Sequence, residues 1–140
     1  MKKMFLLAFI VVIVSITSLS TNGWCQVIKN AKATLAKDRE GYLVTAKWEV
    51  NYQHWKYDFN TITQKGGIWM DCVTSYDSKG YTYKTVVGSA MSGELTRPGL
   101  SCHIFNKKIP SKGYYMWVRL KVRIAGNWED PIWIYAGKIK

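Results

Sequence analysis

Between Tyr114 and Ile124 the side chains change character at every step. Tyr114, Met116, Val118, Leu120, Val122 and Ile124 alternate with Tyr115, Trp117, Arg119, Lys121 and Arg123. Side chains of an extended backbone point to opposite faces with a period of two, so this segment is expected to be a strand with one face in a core and a basic, aromatic face toward water. A chain containing it must supply a sheet with a dry side and a wet side.

The same period returns from Tyr42 to Tyr52, where Tyr42, Val44, Ala46, Trp48, Val50 and Tyr52 alternate with Leu43, Thr45, Lys47, Glu49 and Asn51. Weaker strands, rich in β-branched and aromatic residues, are expected at Val27 to Lys37, Ile68 to Tyr76, Tyr81 to Val87, Leu100 to Phe105 and Ile132 to Ile139. No stretch shows a sustained helical period. Turn formers separate the runs at Asp38-Arg39-Glu40-Gly41, Asp77-Ser78-Lys79-Gly80, Pro98-Gly99 and Ser111-Lys112-Gly113. The Asp77 turn is short enough for a hairpin, and Gly126 to Pro131 joins the last two strands by a slightly longer loop. About seven strands at this spacing predict an all-β, antiparallel sandwich of immunoglobulin or fibronectin type III kind. A small β-barrel is the alternative, because strand count does not separate the two.

The least regular parts are Gln53 to Lys65 and Gly88 to Arg97. Within the first, His54-Trp55-Lys56-Tyr57-Asp58-Phe59 either shapes a site at one end of the sandwich or folds back to close the core. There is no internal repeat, no low-complexity segment and no linker.

At the N-terminus Lys2 and Lys3 precede an apolar run from Met4 to Val14 and a small, polar stretch from Ser15 to Gly23. That order reads as a secretion signal over residues 1–25, followed by a single domain over residues 26–140. The apolar run falls short of the roughly 20 residues a membrane-crossing helix needs, so no transmembrane segment is expected. Cleavage after Cys25 leaves Gln26 first. The lipoprotein alternative, with Cys25 acylated, usually needs a small residue before the cysteine, and Trp24 stands there. Export to a secreted, periplasmic or cell-surface location makes a disulfide between Cys72 and Cys102 the natural expectation, two buried thiols being the alternative.

The formal charge of +11, with 20 basic residues against 9 acidic, favours anionic company: acidic glycans, envelope polymers, anionic lipid or an acidic protein surface. Solubility alone is the bland explanation, since lysines are spread along the chain. Nucleic acid is disfavoured by export, although aromatics beside lysines can stack single strands.

Catalytic patterns are thin. No His-Glu-x-x-His, Cys-x-x-Cys, Gly-x-Ser-x-Gly or phosphate-cradling glycine loop occurs, so neither metal nor cofactor is expected. Glu129 and Asp130 adjoin in a loop and need not converge on one substrate atom. A small basic secreted nuclease using His54 and His103 as general base and acid is one alternative to a non-enzymatic protein. A secreted toxin or effector acting on membranes is another, suggested by 14% aromatics but without an amphipathic insertion segment.

The outward row Tyr115, Trp117, Arg119, Lys121 and Arg123 is the leading candidate for binding. Pairing Ile124 with Ile132 would set Arg123 across from Trp133 and Lys121 across from Tyr135. Cations interleaved with rings can hold sugars, anionic polymers or peptide surfaces, or can simply be cross-strand pairs on a solvated sheet. Trp117 and Trp133 could instead face a second copy in a homodimer.

The order of a Tyr76-Asp77-Ser78-Lys79-Gly80 hairpin, Ile109-Pro110, the long alternating strand and a tryptophan-bearing final hairpin resembles small exported immunoglobulin-like domains of Bacteroidetes-type bacteria. The resemblance spans most of residues 26–140. It implies an exported sandwich and carries over no reaction and no catalytic residue. The sequence therefore reads as an exported, non-enzymatic binding or interaction module.

Overall fold

The structure, a computed structural model, describes residues 26–82 and 84–139. The expected secretion signal, with Cys25, lies outside them. The strands are β1 (Ile28–Lys37), β2 (Gly41–Val50), β3 (Gly66–Ser75), β4 (Thr85–Ser92), β5 (Gly99–Phe105), β6 (Tyr115–Ile124), β7 (Asn127–Trp128) and β8 (Ile132–Lys138), with a short helix α1 (Phe59–Lys65) before β3. They form two antiparallel sheets packed as a sandwich, ordered β1-β2-β5 and β4-β3-β6, with β7 and β8 both paired to the far side of β6. β1 lies beside β8, and β5 beside β4. No ladder crosses either seam among the described residues, so the sandwich stays open and the barrel alternative is excluded.

Alternation decides the faces as expected. On β6, Met116, Val118, Leu120, Val122 and Ile124 are buried while Tyr115, Trp117, Arg119 and Lys121 are half-buried and Arg123 is exposed. β2 contributes Tyr42, Val44, Ala46 and Trp48 to the buried set, and β3 contributes Ile68, Met70 and Cys72. Each such apolar side chain stabilises the fold by about 1.5–3 kcal/mol, which makes these inner rows the main support of the domain. Tyr52 and Tyr114 fall outside this rule. They sit just beyond strand ends, where no facing sheet covers them, and pack instead on Phe59 and Tyr76 at 5.1 and 5.5 Å between ring centroids.

Three local expectations change. The Gln53 to Lys65 connection contains α1, a helix too short to show a period, started by Asp58, whose carboxylate accepts from the backbone N–H of Thr61 at 2.7 Å, and anchored by buried Ile62. Before it, Tyr57 joins the core with His54 buried against it, while Trp55 is exposed, so the segment folds back to close the core through part of its rings. The fourth strand begins at Thr85 rather than Tyr81 and runs into the supposedly irregular Gly88 to Arg97. Asp77 is the reason: its carboxylate accepts from the backbone N–H groups of Lys79, Tyr81 and Thr82, which takes those donors out of the ladder.

The final hairpin is the third. Ala125 and Gly126, with φ of 49° and 87°, make a two-residue turn that puts Asn127 opposite Ile124 and Trp128 opposite Arg123. The four steps from Trp128 to Ile132 then answer only three from Arg123 to Leu120, a bulge that absorbs Pro131, which has no N–H to offer the ladder. Trp133 consequently faces Arg119 instead of Arg123, and Tyr135 faces Trp117 instead of Lys121. The register is four residues away from the expected one. An even slip leaves every side chain on its expected face and changes only its neighbours.

The expected disulfide is not formed. Cys72 on β3 and Cys102 on β5 meet at the seam between the sheets as free thiols, the pair approaching to near 4.3 Å. A bond of about 2.05 Å would need the two strands to close slightly at that point.

Candidate functional site

The outer face of the larger sheet is built from β3, β6, β7 and β8. β6 presents Tyr115, Trp117, Arg119, Lys121 and Arg123, and β8 adds Trp133 and Tyr135, so all seven residues expected from the sequence do share one face. The bulge at Pro131 is what allows Trp128 to join them. Without the extra residue, Trp128 and Trp133, five positions apart, would point to opposite sides.

Each of these cations lies against a ring, and for Arg123 and Lys121 it is not the ring expected. The Arg119 guanidinium is 5.4 Å from the Trp133 centroid, the Arg123 guanidinium 5.6 Å from Trp128, Lys121 Nζ 6.0 Å from Trp128, and Lys138 Nζ 6.0 Å from Tyr115. Trp117 packs on Tyr135 at 5.2 Å, and Trp128 on Trp69 of β3 at 5.3 Å. Trp128, Trp133 and Tyr135 remain 52%, 41% and 45% exposed, so the rings form a platform open to solvent.

Asp71 organises its centre. It stands on β3 directly across from Arg119 and is almost wholly buried. Arg119 donates to it from Nη2 at 2.6 Å and Nε at 3.1 Å, Lys121 Nζ lies 3.0 Å away, and the Ser89 hydroxyl donates at 2.8 Å. Burial by itself would raise the carboxyl pKa, but the donors from Arg119, Lys121 and Ser89 outweigh it and hold the group below the ordinary 3.8. Two of the expected ligand cations are therefore fixed by an internal partner. Arg123 and Lys84, the latter 5.0 Å from the Trp133 ring, complete the positive excess.

Asp71→Asn is expected to cost about 2 kcal/mol, because two cations only one-third exposed keep a neutral acceptor. The parent's folded-state pKa lies below the unfolded value, so the charged contribution is complete above 3.8 and is lost as pH falls through the depressed value. Urea unfolding of parent and variant should therefore show a gap at pH 7 that narrows in acid; equal midpoints at pH 7 would contradict the role assigned to Asp71.

Trp69, Asp71, Trp128 and Lys84 were not among the expected site residues. Asp71 had a visible signal, a lone acid inside an otherwise apolar strand, a residue type that is rarely buried without a partner. The others depend on register and have no local signature.

The two histidines are not brought together. His103 lies opposite Leu43 near the start of β2, its Nε2 2.7 Å from Asp38 Oδ2, and this contact is the largest influence lowering the Asp38 pKa. His54 lies beyond the other end of β2, buried between Trp55 and Tyr57, with Nδ1 accepting from the backbone N–H of Lys56 at 3.1 Å. Strand rise alone separates them by roughly 20 Å. Glu129 accepts from the Tyr57 hydroxyl at 2.6 Å, which ties the Pro131 bulge to the loop before α1.

The chain matches no family model, no curated protein and no solved structure. Among the described residues, no helix is long and apolar enough to cross a membrane.

Proposed function

We propose that the protein is an exported, non-enzymatic binding module that holds an anionic glycan or envelope polymer on the outer face of its larger sheet. The observation that carries this reading is the run of exposed rings, Trp128, Trp133 and Tyr135, set beside Arg123, Lys84, Arg119 and Lys121, with one buried acid among them. Rings offer an apolar surface to sugar faces and cations attract the polymer's charge, a combination that tolerates a repeating ligand. Residues 26–140, with 18 basic against 9 acidic residues and a formal charge of +9, add long-range attraction of the same sign. In the oxidising setting that export implies, Cys72 and Cys102 close into a cystine that staples the sheets behind this face.

Retention on immobilised polygalacturonate, with neutral dextran as control, tests the reading. The parent should be retained and released by salt. Trp128→Ala combined with Trp133→Ala should keep the far-UV spectrum and lose at least tenfold in affinity, since two ring contacts of about 1 kcal/mol each are removed. Trp117 is left alone because it is half-buried. Undiminished retention of the folded variant, or a mass that doubles with concentration and places these rings in a homodimer, would overturn the proposal.

A further inference from the structure

The platform is bordered by a depression of about 300 Å³ between the Asp77–Thr82 loop and Trp133, at the small end of ligand sites. Its walls are the rings of Tyr81, Trp117 and Trp133, and its charge comes from Lys79 and Lys84.

Two features of this depression bear on a ligand. The loop that forms one wall is built around Asp77, which accepts from the backbone N–H groups of Lys79, Tyr81 and Thr82 and from the Thr82 hydroxyl. Those hydrogen bonds, the Thr82 hydroxyl first, bring the Asp77 carboxyl down to about 2. The loop's one acid stays ionised but is held by the loop's own donors and does not line the depression, where Lys79 and Lys84 outnumber it. The second feature is the indole Nε1 of Trp117, which is buried with no hydrogen-bond partner among the described residues. It lies beneath Gly80, where an added Cβ would sit 3.2 Å from it, so only a glycine backbone stands between this donor and the loop side of the depression. The covered N–H is closed to an incoming oxygen, so Trp117 meets the depression through its ring, and its indole signal reports on the loop above it.

We propose that this depression is the subsite for one acidic sugar residue, its ring among Tyr81, Trp117 and Trp133 and its carboxylate or sulfate held by Lys79 and Lys84. The inference rests on the reading of the face as an anionic-polymer binder and specifies where that polymer is recognised. Arg119, against the Trp133 ring, joins the subsite to the platform, so a chain leaving the depression passes directly onto the exposed rings.

The test uses trigalacturonate, its neutral methyl ester and a sulfated galactose trisaccharide, added to the full domain while the tryptophan indole N–H resonances are followed by NMR. Trigalacturonate or the sulfated sugar should shift the Trp117 indole signal, and whichever binds more tightly identifies the anion; the ester should bind at least tenfold more weakly. The K79E/K84E variant should lose at least twentyfold in affinity for the acidic trisaccharide yet keep its fold, as both side chains are exposed. An unmoved Trp117 signal at saturation, equal binding of the ester, or an indifferent K79E/K84E variant would overturn the subsite. If long polygalacturonate is retained while these trisaccharide effects are absent, the subsite fails and the platform stands; if neither long nor short acidic sugars bind, both fail.

Discussion

Gly41→Ala is expected to destabilise the domain by about 4 kcal/mol, the added Cβ making the tightest contact of any at the described glycines. Gly41 opens β2 opposite Phe105, and a Cβ there would lie 1.9 Å from the carbonyl oxygen of Ile104 and 2.9 Å from the Ile104 carbonyl carbon and the Phe105 Cα. All three atoms are backbone, so no rotamer change relieves the clash and β5 must move away from β2. That is a large share of the roughly 5–15 kcal/mol that holds a typical domain. Gly93→Ala is the matching control: a Cβ at residue 93 meets nothing within 4 Å, and the change should lie within about 0.5 kcal/mol of the parent. Urea midpoints of the three proteins decide the matter, and a Gly41→Ala midpoint level with the control would show that the close approach of β2 and β5 is wrong.

Oxidation of Cys72 and Cys102 is expected to add about 3.5 kcal/mol by closing the loop between them in the unfolded chain. The two thiols give up two protons and two electrons to a disulfide oxidant such as oxidised glutathione, which leaves as two thiols. Burial pushes both thiols above their ordinary pKa, Cys72 much the further, so exchange should be slow in the folded domain and efficient while the sheets are still assembling. Protein refolded with oxidised glutathione should resist alkylation after denaturation, weigh two hydrogens less, and unfold at higher urea than Cys102→Ser. Full alkylation of both cysteines after such refolding would remove the cystine from the account. Gly88, opposite Cys72 on β4, leaves the space that Cys102 enters: a Cβ there would lie 3.0 Å from its Sγ.

Two sheet segments were legible from their own period, and the weaker ones from β-branched and aromatic content. Alternation on β2 and β6 is a property of consecutive residues, and it assigned the buried valines and the outward arginine row without any partner strand. The start of β4 was not legible. Tyr81 and Thr82 look like strand residues and are held in a loop because Asp77 competes for their backbone donors. α1 was hidden by its length, since seven residues give fewer than two turns and one buried side chain. In the candidate site the outward residues were readable, but the acid that binds two of them lies on β3, far away in sequence.

From sequence alone came the two-sided strands, the antiparallel all-β class and the side of the sheet on which Tyr115, Trp117, Arg119, Lys121, Arg123, Trp133 and Tyr135 stand, because facing follows from parity and parity is local, whereas the open sheets excluded the barrel. Tertiary structure alone decided which ring each cation meets, the capture of Arg119 and Lys121 by Asp71, and the separation of His54 from His103. The ring pairings depend on a two-residue turn and the bulge at Pro131, the capture by Asp71 on β3 lying beside β6, and the histidine separation on the pairing of β2 with β5. One inserted residue shifts every later pairing while leaving the sequence pattern of each strand untouched.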